Sequence, residues 1–211
     1  MSSFPRSFLA SLAIVATASS AAGAQVIDRS APASGALFSN IRNWTGQSFH
    51  PNASTIAGGG LNLVNVSGGT TSGVVDVQLW SDLPSSSGSF LAGGSTTFSL
   101  GGGEAAFFDV FWNAVSVTLS PSYYLLFQAS YAGPEAIYST YASRSYASDD
   151  GNAVYNASSD ITAPFSGYGY ILSYNEYSAA PITTPEPASA TLLAAGLVAT
   201  AIMTRRKRRR S

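Results

Sequence analysis

The chain has 211 residues, among them 11 tyrosines, 11 phenylalanines, three tryptophans and 20 glycines, with no cysteine, one histidine and 10% charged residues. That length carries one domain with tails, and a unit of ~160 residues can bury a core of its own. The absence of cysteine excludes a disulfide scaffold, a thiolate zinc site, an iron–sulfur centre and a cysteine nucleophile. A charged fraction far below the ~25% usual in soluble domains argues against disorder driven by charge.

The first element is a secretory signal over residues 1–24. Arg6 gives the positive start, Phe8 to Ala18 form a short apolar run, and Ala22-Gly23-Ala24 places small residues where a signal peptidase reads them. Gln25 becomes the new N-terminus, and the expected partners are the Sec export machinery and signal peptidase. The run is too short to span a bilayer, which sets aside a retained anchor.

Residues 25–184 form the expected extracytoplasmic domain. Three arginines stand against ten acids there, a net charge of −7 with no lysine. A phosphate backbone needs lysine and arginine to neutralise it, so nucleic acid is excluded as a partner. Hydrophobic residues alternate with polar ones. Leu61 to Val66 follows the glycine triplet at 58–60, which reads as a boundary, and Gly73 to Trp80 sets Val75, Val77 and Leu79 opposite Asp76 and Gln78. Further strands are expected at Thr96–Leu100, Ala105–Trp112, Val115–Leu119, Tyr123–Ala129 and Tyr168–Tyr174, with glycine, proline and serine between them. No helical periodicity interrupts them. Eight to ten short strands of this kind predict an all-β fold, an antiparallel β-sandwich of jelly-roll type.

Chemistry is sparse along this stretch. His50, the single imidazole, has no Gly-x-Ser-x-Gly elbow or His-x-x-His partner and precedes Pro51-Asn52, so it reads as a turn residue. Asp149 and Asp150 are adjacent and point to opposite faces of an extended chain, which leaves Asp76 and Asp109 as the pair that strands could bring together for glycoside hydrolysis. The oxygen-rich run Ser148-Asp149-Asp150-Gly151-Asn152 makes Asp149, Asp150 and Asn152 calcium candidates, although the same residues dominate ordinary turns. No other cofactor and no catalytic residue is expected. Eight tyrosines lie between Tyr138 and Tyr177. A tyrosine offers an apolar face and a hydroxyl, which suits a sugar ring as well as a half-buried strand. Trp44, Trp80, Trp112, Tyr168 and Tyr170 are therefore the candidate ligand contacts. Four Asn-x-Ser/Thr triplets, at Asn43, Asn52, Asn65 and Asn156, match the glycosylation sequon by chance in a serine-rich chain.

The last element occupies residues 185–211. Pro185-Glu186-Pro187 is followed by sixteen uncharged residues, Ala188 to Met203, and then by Arg205, Arg206, Lys207, Arg208, Arg209 and Arg210. As a helix the apolar run reaches ~24 Å, and snorkelling arginines with local thinning bring it across a ~30 Å hydrocarbon core. The basic cluster stays cytoplasmic by the positive-inside rule, which agrees with an exported domain before it.

In that order, these parts resemble the PEP-CTERM sorting signal from Thr184 to Arg210. The resemblance implies a substrate of exosortase, a transpeptidase-like membrane enzyme of Gram-negative bacteria that make exopolysaccharide, with the tail processed near Pro185-Glu186-Pro187. Before processing the chain would be held in the inner membrane, and afterwards it would reach the cell surface or the extracellular matrix. The middle is similar to choice-of-anchor β-sandwich domains, roughly from Trp44 to Tyr177. Gly46-Gln47-Ser48-Phe49, Val75 to Trp80, Val117 to Pro121 and Tyr123 to Phe127 carry that similarity. It implies a surface module and brings no activity with it. The function expected is a structural or adhesive envelope or exopolysaccharide-matrix protein, and the alternative is a carbohydrate-binding module of that matrix.

Overall fold

A computed structural model describes residues 25–134, 136–144 and 151–179. The expected signal peptide with Ala22 and Ala24, the acidic pair Asp149 and Asp150, and the whole of 185–211 with its expected helix lie outside these residues. Among the described residues no helix is long and apolar enough to cross a membrane.

Among the described residues thirteen strands follow in order: β1 (Gln25–Ser30), β2 (Ala36–Asn40), β3 (Thr45–Phe49), β4 (Thr55–Asn65), β5 (Thr71–Trp80), β6 (Phe90–Leu100), β7 (Ala105–Ser116), β8 (Tyr123–Tyr131), β9 (Ile137–Arg144), β10 (Ala153–Tyr155), β11 (Ser166–Tyr168), β12 (Tyr170–Leu172) and β13 (Tyr174–Ala179). The only helix among the described residues is a 3₁₀ turn at Pro84–Ser86. The strands form two sheets whose pairings are all antiparallel, as the alternation of the sequence requires. The first runs β1-β13-β4-β9-β12, with β7 on the free edge of β4 and β2 on the free edge of β9; the second runs β11-β10-β3-β8-β5-β6.

Period two decides which side chains meet. Val75, Val77 and Leu79 of β5 register with Ala129, Phe127 and Leu125 of β8, and all six are buried. Opposite them stand Leu61 and Leu63 of β4, Val110 of β7, Ile137 of β9 and Tyr174 of β13, in one contiguous apolar cluster. Each such side chain contributes about 1.5–3 kcal/mol by leaving water. The two sheets therefore enclose a shared core, as the sandwich reading requires.

Three expectations change. The glycine triplet at 58–60 is the middle of β4, where strands pair on both edges: Gly58 with Phe111 and Tyr177, Gly60 with Asp109 and Asn175. These glycines serve close approach. A Cβ on Gly59 would lie 2.8 Å from Leu125 Cδ2 of the opposite sheet, and one on Gly58 would lie 2.8 Å from the Val110 carbonyl oxygen. Val115–Leu119 is not a strand of its own, because β7 ends at Ser116 and Val117 is held by a single bond from its N–H to the Ser54 carbonyl. Tyr168–Tyr174 is not one strand either, since the chain leaves the second sheet after Tyr168 and joins the first at Tyr170, with Gly169 and Ser173 as breaks. Alternation is the same on both sides of such a crossing, so the pattern hides it.

An alanine inside a strand ordinarily beats glycine by about 0.5–1 kcal/mol. At Gly58 and Gly59 the sign should reverse. Gly58→Ala and Gly59→Ala are each expected to destabilise by about 1–3 kcal/mol through overpacking. Gly68→Ala, with nothing within 4 Å of the new methyl, should be neutral in the same urea titration.

Candidate functional site

The seam between the sheets opens where β2, at an edge of the first sheet, approaches β10 and β11, at the edge of the second. A groove of about 520 Å³ lies there. Its walls are Leu37, Phe38, Ser39 and Asn40 from β2, Tyr138 and Tyr141 from β9, Tyr155 from β10, Tyr168 from β11 and Tyr170 from β12. Phe38 is wedged between two tyrosines, with ring centroids 5.7 Å from Tyr168 and 5.9 Å from Tyr170, both edge to face. Tyr141 and Tyr170 are 5.0 Å apart and tilted. Contacts of this type fix ring orientation at about 0.5–1.5 kcal/mol each. Behind the groove the two sheets are tied by Gln47, whose side-chain oxygen accepts a 2.8 Å bond from the Leu172 N–H.

The groove has both apolar and polar surface. Tyr168 is 41% exposed and Leu37 46%, while the other rings are half-buried. The Tyr155 hydroxyl accepts a bond from Asn43 Nδ2, and Asn40 is engaged with Tyr131 and the Arg42 N–H. The hydroxyls of Tyr138, Tyr141 and Tyr168 bond to no described residue. The groove thus brings together Tyr168 and Tyr170 of the candidate set and adds residues that sequence reading missed. The tyrosine-rich stretch was a usable signal for Tyr138, Tyr141 and Tyr155. Nothing in the sequence pointed to Phe38, about a hundred residues earlier in the chain.

The tryptophans are elsewhere. Trp44 is a correction: it is 6% exposed, packs with Leu126 and Val154 on the outer face of the second sheet, and donates from Nε1 to the Ser159 carbonyl, so it is core and offers no ligand a face. The segment after β10 makes that second core by folding over the sheet, held by Asn156, which donates to the Asp160 and Ala163 carbonyls. Trp80 stacks edge to face with Phe90, and its Nε1 donates to Gln78. Trp112 is half-buried, bonds the Ile56 carbonyl, and lines a separate depression with Gln25, Phe111 and Ala179. The candidate contacts therefore do not form one site.

Asp76 and Asp109 do not form a hydrolytic pair. Asp76 sits on the outer face of the second sheet between Ser95 and Gln128, and Asp109 on the outer face of the first, where it accepts a bond from Asn175, so the core separates them. His50 Nε2 lies 3.3 Å from Ser122 Oγ, and no described carboxylate bonds the ring. Asn152 uses its backbone to pair with Ser48, and its two acidic companions, Asp149 and Asp150, are outside the described residues. Among the described residues no three acids or histidines gather as metal ligands. Two of the four sequon asparagines are core residues, Asn65 at 0% and Asn156 at 1% exposure, with both amides engaged in hydrogen bonds. No protein-family model matches this chain, and no curated protein is similar to it.

One titratable group is far from its ordinary state. Glu176 of β13 faces the core opposite Gly59 and is fully buried beside Asp28 and Arg29 of β1. Burial, reinforced by the Asp28 carboxylate, pushes its pKa up to about 9, with Arg29 offsetting part of the rise. The group is thus a neutral acid in the fold and an ordinary carboxylate in the unfolded chain. Its contribution to stability is complete below about pH 4.5 and declines as pH rises, until it is lost near pH 9. Glu176→Gln removes this ionisation. Urea midpoints measured from pH 5 to 9 should fall for the wild type and fall less for the variant; parallel curves would contradict the assignment.

Proposed function

We propose that this chain is an exported, non-enzymatic structural or adhesive protein of the cell envelope or an exopolysaccharide matrix, delivered by a C-terminal PEP-CTERM-type signal. One observation carries the reading: Pro185-Glu186-Pro187, an uncharged run and the Arg205–Arg210 cluster stand in that order. Prolines keep the processing site extended, the apolar run parks it at the inner membrane, and the basic residues fix its depth. Exosortase would act there after Sec export and removal of residues 1–24 by signal peptidase.

The architecture supports this role. The described strands lie within residues 25–179, between the two proposed processing points. Within the fold, the orders β1-β13-β4-β7 and β3-β8-β5-β6 nest in the manner of a jelly roll, the finer form of sandwich that we infer. The alternative is a carbohydrate-binding module of the same matrix, which the clustered tyrosines favour. Calcium, if bound, would involve Asp149, Asp150 and Asn152.

Replacing Pro185, Glu186 and Pro187 together by alanine tests the sorting step. The wild-type chain is expected in the surface or secreted fraction. The variant should accumulate in the inner-membrane fraction at a mass that includes the basic tail. Identical fractionation of the two would overturn the proposal.

A further inference from the structure

We propose that the groove between β2, β9, β11 and β12 is a binding site for an uncharged pyranose oligosaccharide. The inference rests on the carbohydrate alternative above and narrows it to one place and one class of glycan.

Three properties of the groove select this ligand. Its volume, about 520 Å³, lies within the ~300–1,000 Å³ typical of small-ligand sites. Its rings are held before any ligand arrives: Phe38 is fixed against Tyr168 and Tyr170, and Tyr141 against Tyr170. Rings fixed in advance lose little entropy when a ligand stacks on them. Hydroxyls of Tyr138, Tyr141 and Tyr168 stand at the edges of those faces without a bond to any described residue. A pyranose presents the matching surface, C–H faces for the rings and hydroxyls at its rim for the phenols. A purely apolar ligand would leave these hydroxyls dry and unpaired, which costs binding energy.

Charge decides between glycan classes. No described side chain lining the groove is charged. An acidic polysaccharide would find no arginine or lysine among them to meet its carboxylates, and it would approach a domain carrying −7 over residues 25–184. A cationic glycan would find no carboxylate among these described side chains. Against the described lining, the neutral class is the one that neither desolvates an unpaired charge nor meets repulsion.

The test is a titration of the full chain in detergent micelles, using cellohexaose, laminarihexaose and mannohexaose as neutral probes and a mannuronate hexamer as the acidic one. At least one neutral hexamer should bind saturably, and the mannuronate hexamer should bind at least about tenfold more weakly. Tyr168→Ala, at an exposed position, should weaken neutral binding by about tenfold, whereas Tyr168→Phe, which keeps the ring, should stay within about threefold. Phe90→Ala, on the far edge of the second sheet, should change nothing. Thermal melts show whether each variant has kept its fold. Binding of the acidic hexamer in preference to the neutral ones overturns the inference while the carbohydrate reading stands. So does neutral binding that survives Tyr168→Ala and Tyr141→Ala. Absence of binding by every probe at millimolar concentration overturns both.

Discussion

The structure depends on a strand with no side chains at its centre. β4 pairs along both edges at Gly58, Gly59 and Gly60, and each glycine admits a different neighbour. Gly59 lets Leu125 and Val77 of the other sheet come against the β4 backbone; a Cβ would stand 2.8 Å from the first and 3.4 Å from the second. Gly58 lets Phe111 lie across the outer surface and meet Tyr177 edge to face at 4.8 Å. Gly60 leaves room for the Asp109 carboxylate, which takes the Asn175 amide at 3.1 Å. Interiors are packed at crystal density, so one added methyl in such a place is felt.

The tyrosine groove lies at the sheet edges, away from that centre. Gln47 reaches across to the Leu172 N–H and ties the two sheets near the tyrosine groove. The chain has no cysteine, and buried amides tie its loops instead. Asn65 donates to the Gly69 and Leu100 carbonyls and accepts from the Ser67 N–H, and Asn156 makes the equivalent set after β10. Removing either amide would lose these bonds, each worth about 0.5–1.5 kcal/mol.

The all-β class and most long strands were legible because burial on one face writes period two into the sequence, as Val75, Val77 and Leu79 show. Glycine was misread because its signal is double: it breaks chains in turns, yet at 58–60 it permits contact inside a strand. The switch of sheets between Tyr168 and Tyr170 left no trace in the alternation. The groove was half legible. Tyrosines 138 to 170 are close in sequence and drew notice, but Phe38 reaches them through β2–β9 pairing, a long-range fact. Trp44 drew notice by residue type alone, and its burial is decided by the segment at 157–165, which no local pattern announces. The inward turn of Glu176 follows from its register opposite Gly59, again invisible without the partner strand.

The proposed sorting role rests on Pro185-Glu186-Pro187, an uncharged run and a basic cluster that follow the β-sandwich in that order. The most direct measurement is the intact mass of the protein from its own host, with surface and secreted fractions weighed separately. A species that starts at Gln25 and ends near Pro187 is the predicted result. A surface species still carrying Arg205 to Arg210 would mean a permanent membrane anchor and would contradict the sorting account.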